Sequence, residues 1–159
     1  MLRQIVRLTQ RLCPSGCQYW NRFVIASGGH FLAYCSTLAI YILDLRTFTI
    51  HNIIAAHEQT INCIAWSKVN TDLLASASTD CRLFVWSVGR EQQVVSATLS
   101  SPLIMMEWSR FKDQELMLLH ENGDLARFNI TTQTSQFITN YMGLQPKLLR
   151  LHPATVAAT

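Results

Sequence analysis

No aspartate or glutamate occurs before Asp44, and charged residues make up only 14% of the 159-residue chain. The formal net charge of +3 is too small to argue for nucleic acid as a partner. Few charges beside 49% hydrophobic residues imply a well-buried domain, or one normally covered by more protein. No apolar run approaches the roughly 20 residues that a membrane-spanning helix requires, so no membrane span is expected. The five cysteines form an odd set scattered through strand-like text. That argues against a disulfide framework and for reduced thiols in the cytoplasm. A phosphate-cradling Gly-x-x-x-x-Gly-Lys loop, a His-Glu-x-x-His helix and a calcium loop are also missing, so no cofactor is expected. The length suits one domain with a sizeable core.

Residues 1–21 read as an N-terminal arm and turn. Arg3, Arg7 and Arg11 share one helical face, with Leu2, Ile5, Val6, Leu8 and Leu12 forming an apolar side. A basic, acid-free amphipathic start has the composition of a mitochondrial transit peptide, which makes mitochondria the alternative to the cytoplasm; the plainer reading is an ordinary extension. Cys13-Pro-Ser-Gly-Cys17 holds only half of a zinc site, and Pro14, Ser15 and Gly16 more simply mark a turn. Asn129-Ile-Thr131 is a glycosylation sequon that matters only in a secreted protein, and no signal peptide is apparent.

What the chain does have is a period. Trp66-Ser67 recurs as Trp108-Ser109, and Trp86-Ser87 is matched at nearly the same interval by Leu43-Asp44 before it and Phe128-Asn129 after it. The runs between are short and strand-like. Strands are expected over Arg22–Ser27, His30–Cys35, Leu38–Leu43 and Thr47–Ile54 in the first unit. The second unit has Thr60–Ser67, Asp72–Ser78, Cys81–Val88 and Gln92–Leu99, and the third Leu103–Trp108, Glu115–His120, Asp124–Ile130 and Ser135–Thr139. Gly28-Gly29, Ser36-Thr37, Thr79-Asp80 and Asn122-Gly123 supply turns, the last a strong hairpin signal because both residues tolerate positive φ. Leu103–Met106 and Leu116–Leu119 also allow a helix, but the adjoining Asn-Gly and the repeat register favour strands. A repeat of about 40–45 residues is the length of a four-stranded propeller blade.

The stretch Ala56–Val88, with His57, Ser76, Asp80 and Trp86 at informative spacings, resembles one repeat of the WD-repeat β-propeller family. Ala56-His57 stands where the family has Gly-His, and Trp86-Ser87 where it has Trp-Asp. The resemblance implies an all-β, incomplete β-propeller of about three four-stranded antiparallel blades plus the start of a fourth. Residues 22–159 would form this partial propeller, with blades near 22–55, 56–99 and 102–139 and the next beginning at 147–153. The stop after His152-Pro153 reads as a cut inside that fourth blade. A fragment or short form of a longer propeller is therefore expected, with completion by other copies or a stand-alone stack as alternatives.

By the same resemblance, His57, Ser76, Asp80 and Trp86 form a structural hydrogen-bond chain. An indole N–H is a donor only, a serine hydroxyl can accept it and donate onward to histidine, and an aspartate can hold the other ring nitrogen. Serine, histidine and aspartate also invite a hydrolase reading. No Gly-x-Ser-x-Gly elbow surrounds Ser76, however, and a mid-strand serine against Trp86 has no evident access, so no catalytic residue is assigned. In the first unit Ala33 is read at the serine position and Thr37 at the aspartate position. The third has Leu118, Asn122 and Phe128 in place of Ser76, Asp80 and Trp86. Ser87 and Gly89 depart from the acidic residue and arginine that propeller adaptors of ubiquitin ligases use.

The expected function is a non-catalytic protein–protein interaction scaffold, with other proteins as partners and self-association through exposed blade faces as a further option. An enzymatic or a nucleic-acid-binding propeller face is the alternative. Ala55–Gln59, Thr79–Cys81, Leu99–Pro102 and His120–Asp124 are the candidate contact loops.

Overall fold

Alternating apolar residues and closely spaced turn signals build twelve strands and no helix among the described residues. A computed structural model describes residues 22–55, 57–112 and 114–141; the arm, its Cys13–Cys17 turn and the expected fourth-blade start at 147–153 lie outside them. The strands are β1 (Ile25–Gly28), β2 (Phe31–Ser36), β3 (Ala39–Asp44), β4 (Thr49–Ala55), β5 (Ile61–Trp66), β6 (Leu73–Ser78), β7 (Arg82–Ser87), β8 (Gln92–Thr98), β9 (Leu103–Trp108), β10 (Glu115–His120), β11 (Asp124–Asn129) and β12 (Thr134–Asn140). They pair in sequence order into three four-stranded sheets, β1–β4, β5–β8 and β9–β12, antiparallel throughout. The sheets are open, and together they form an incomplete β-propeller of three blades. The two Met- and Leu-rich runs are strands β9 and β10.

Short turns fix the register of each blade. Between the second and third strands, the central and third blades use three-residue loops, Thr79–Cys81 and Glu121–Gly123. Each ends on a residue with positive φ, Cys81 at 63° and Gly123 at 87°. Asn122 is therefore not left-handed: Gly123 alone takes that conformation, and its N–H closes the turn on the His120 carbonyl at 3.0 Å. The first blade uses only Thr37-Leu38, with Thr37 at φ 55° and Ser36 paired to Ala39.

That missing residue corrects the expected equivalences. Leu32 pairs with Leu43 as Leu74 pairs with Trp86, so Tyr34, not Ala33, stands at the serine position, and the two-residue turn has no counterpart of Asp80. Ala33 faces the opposite way, into the core shared with the second blade.

The closing residue of each third strand caps the next turn. The Arg46 N–H donates to Asp44 Oδ1 at 2.8 Å, the Arg90 N–H to Ser87 Oγ at 3.3 Å, and the Thr131 and Thr132 N–H groups to Asn129 Oδ1 at 2.9 and 3.1 Å. Asp, Ser and Asn suit this place because a short side chain can accept from the backbone two or three residues on. Each turn then ends on a left-handed residue, Phe48, Glu91 or Gln133, with φ near 55°.

The blades pack face to face through two apolar clusters. One joins the first and second blades through Ala33, Cys35, Ile40, Ile42, Ile64, Trp66, Leu74, Phe84 and Trp86. The other joins the second and third through Cys63, Ala75, Leu83, Val85, Leu103, Met106, Trp108, Leu116, Leu118 and Phe128. Gly28 is required in the first: a Cβ there would lie 2.0 Å from Trp66 Cδ1. The Trp108 indole N–H reaches across blades to the Ala65 carbonyl at 2.9 Å. Burial pushes the Cys63 thiol up to about 12, and burial together with Cys63 raises Cys35 further, so both thiols stay protonated.

Candidate interaction site

The central blade is built around Ser76, which is fully buried on β6. The Trp86 indole N–H on β7 donates to Ser76 Oγ at 3.0 Å, and His57 Nε2, from the segment entering the blade, lies 2.8 Å from the same oxygen. His57 stacks obliquely on Phe84 at 4.6 Å, and Phe84 meets Trp86 edge-on at 5.8 Å. Burial holds the His57 imidazole down at about 4; the Asp80 carboxylate opposes this without overcoming it. His57 is therefore neutral at physiological pH.

The structure thus joins three of the four residues singled out in the sequence. Asp80 is turned toward its own loop, where Oδ1 accepts the Arg82 N–H at 2.9 Å. His57 Nδ1 is buried without a hydrogen-bond partner among the described residues, whichever ring nitrogen carries the proton. A local cap two residues away outcompetes the longer reach to histidine because it orders fewer groups. Chemically, the arrangement anchors the blade. Ser76 has no exposed surface and its oxygen is already engaged by an indole and an imidazole, so this serine cannot meet a substrate.

Two sets of loops flank this chain. At one end, the strand-entry segments meet the turns between second and third strands: Ile61 N–H bonds to the Thr37 carbonyl, Thr79 N–H to Thr60, Leu99 N–H to Cys81 and Glu121 N–H to Pro102, at 2.8–3.0 Å. Thr79 Oγ1 also donates to Gln59 Oε1 at 3.1 Å. The candidate loops at 55–59 (Ala56 outside the described residues), 79–81, 99–102 and 120–124 therefore share one rim. Glu58, Gln59, Thr79, Ser100, Glu121 and Asn122 are exposed on it.

The opposite rim carries polar groups that the sequence reading passed over. Ser87 donates to Asp72 Oδ2 at 2.5 Å, and the Gly89 N–H to Asp72 Oδ1 at 2.6 Å. In the first blade the corresponding place is taken by His30, Asp44 and Arg46. Arg46 binds Asp44 at 3.2 Å and holds its carboxyl below the usual carboxylate range, and Arg46 Nη2 lies 2.9 Å from His30 Nε2. The signal was available: His30 and Asp72 stand one period apart, and each immediately precedes a second strand.

Comparisons with known proteins agree with the repeated four-stranded fold. The chain is 33% identical over 51 residues to the WD repeat-containing protein WDS homolog of Arabidopsis thaliana, covering 32% of this chain and 10% of that protein. It is 32% identical over 79 residues to the WD repeat-containing protein 26 homolog of the same plant, covering 46% and 13%. These likenesses support a WD-repeat propeller family. The β-propeller domain of Cps50 (Swd1) from Myceliophteria thermophila superposes with a TM-score of 0.61 at 17% identity, over 69% of this chain and 35% of that one, which shows the β-propeller fold alone. No family model matches. The chain thus spans about a tenth of the length of its curated WD-repeat relatives.

Proposed function

We propose that the chain is a non-catalytic protein-interaction module, part of a larger WD-repeat propeller, whose partner-binding surface is the rim formed by residues 55–59, 79–81, 99–102 and 120–124. The observation that carries this reading is the division of labour in the central blade. The residues that resemble catalytic groups are consumed in buried anchoring, while the loops they anchor present exposed side chains. WD-repeat propellers generally bind other proteins, and the WD-repeat relatives support the same role here. Cys17–Asn21, Ala33–Ile42 and the repeat that follows favour, more finely, a chain similar to the N-terminal part of a WD repeat-containing protein 17-like protein. A cytoplasmic location belongs to the same proposal.

The test is affinity capture with the native chain and with a variant in which Gln59, Thr79 and Ser100 are replaced by lysine. A specific protein retained by the first and lost by the second is expected. Equal retention by both, or no specific protein retained by either this chain or a longer parent, overturns the rim as the binding surface. Light scattering of the same two samples reports self-association through blade faces. Fractionation of cells tests the location, and recovery with mitochondria would refute it.

A further inference from the structure

The turn between β10 and β11 is the place where chemistry is still open. Asn122 is exposed and is followed by Gly123, so no Cβ hinders approach of the Gly123 nitrogen to the Asn122 side-chain carbonyl. Asn122 Oδ1 accepts the Asp124 N–H at 3.0 Å, which places a donor on the oxygen where negative charge would develop. The side-chain amino group is held in turn by Asp124 Oδ2 at 2.8 Å. Opposing reaction, the Gly123 N–H is engaged with the His120 carbonyl at 3.0 Å and must be released first. That bond closes a three-residue turn in which Glu121 and Asn122 are exposed while Gly123 is buried and its carbonyl accepts the Tyr141 N–H at 2.8 Å, so the release required is an opening of this turn and not of the whole blade.

From this juxtaposition we propose that Asn122 is a site of spontaneous deamidation, and that conversion weakens the turn. In the first step the Gly123 nitrogen gives up its proton to hydroxide and bonds to Asn122 Cγ. The tetrahedral centre then expels the amino group, which leaves as ammonia with a proton taken from water, and a five-membered succinimide remains. Water opens either carbonyl of that ring, giving aspartate with the normal backbone or iso-aspartate with the backbone rerouted through the side chain. No electrons are transferred. The product carboxylate has lost the N–H groups that faced Asp124 and stands beside a second carboxylate. The normal-backbone product carries the same residue type as Asp80, one repeat earlier, but Asp80 is followed two residues on by Arg82 where this turn has Asp124. The turn lies on the proposed interaction rim, yet the chemistry does not depend on that assignment.

The experiment is peptide mapping by mass spectrometry, with iso-aspartate detection, on the purified chain incubated at neutral and at mildly alkaline pH. Asn122 is expected to convert at least about ten times faster than Asn70, Asn129 or Asn140, whose successors carry side chains. The rate should rise with pH, and iso-aspartate should accompany aspartate. Conversion no faster than at those three sites, or independent of pH, overturns the proposal. An Asn122→Ser chain should accumulate no iso-aspartate in this turn, and its detection there would equally overturn the assignment. Asn122→Asp, which mimics the normal-backbone product, should lower the thermal midpoint by an amount that shrinks as salt is added. An unchanged midpoint overturns the weakening of the turn.

Discussion

The second and third blades share a backbone plan but anchor it with opposite chemistry. In the second, His57, Ser76 and Trp86 meet through hydrogen bonds at 2.8 and 3.0 Å. In the third, Leu99, Leu118 and Phe128 stand one period after them and pack in one apolar cluster. A buried polar set is tolerable when its groups find each other, as all but His57 Nδ1 do here, and an apolar set asks for no partners. Mixing the two should be worse than either. The blades thus form an internal experiment in which a polar anchor and an apolar one hold the same fold.

The largest effect should come from importing one polar member into the apolar blade. Leu118→Ser removes a fully buried side chain and leaves a hydroxyl without indole or imidazole. It should cost about 3–5 kcal/mol in denaturant unfolding. A loss below about 1 kcal/mol would mean that the third blade can absorb polarity after all.

Next is the reverse intrusion. Ser76→Ala strips the acceptor from Trp86 and the partner from His57, for an expected loss of about 2–3 kcal/mol. Replacing all three residues together with those of the third blade, as His57→Leu, Ser76→Leu and Trp86→Phe, should cost less than Ser76→Ala alone. If the triple variant is the less stable of the two, the symmetry between anchors is refuted.

Between pH 6.5 and 4, acidification should act on the second blade through His57. The His57 pKa is about 4 in the folded chain against an ordinary 6.5, so between these values the unfolded chain binds more protons. Stability from this group is complete above pH 6.5, falls as pH drops toward 4, and levels off below that. The total loss is roughly 3 kcal/mol, read from unfolding midpoints across that range. The triple variant should lose this component of the pH dependence, and an unchanged slope would show that His57 is not its source.

The smallest effect separates Asp80 from the chain. Because its carboxylate caps the Arg82 N–H instead of meeting His57, Asp80→Ala should cost only about 0.5–1 kcal/mol and leave the fall between pH 6.5 and 4 in place. A loss comparable to that of Ser76→Ala would place Asp80 back in the network.

Much of this architecture was legible because the repeat is covalent. Turn residues at regular intervals and a tryptophan pair one period apart locate all twelve strands to within three residues at either end. Counting failed where one turn is a residue shorter. The interval between the first and second blades is one residue less on the second strand than on the third, so a fixed period points to Ala33 where the register puts Tyr34. A shift of one residue reverses which face a side chain occupies, and only strand pairing reveals it. The caps formed by Asp44, Ser87 and Asn129 were visible as period markers, while their role depended on turn geometry.

The sequence by itself determined the repeat and the strands, because alternation and spacing place side chains on known faces before any packing occurs, while the meeting of Trp86, Ser76 and His57 is implied by the resemblance to the WD-repeat family. Tertiary structure decided the rest. It turned Asp80 toward its own loop, where an amide two residues away is nearer than a histidine across the blade. It also made Gly28 obligatory, through contact with a tryptophan brought against it by the neighbouring sheet. Those outcomes depend on distances between segments far apart in the chain, which no local pattern encodes.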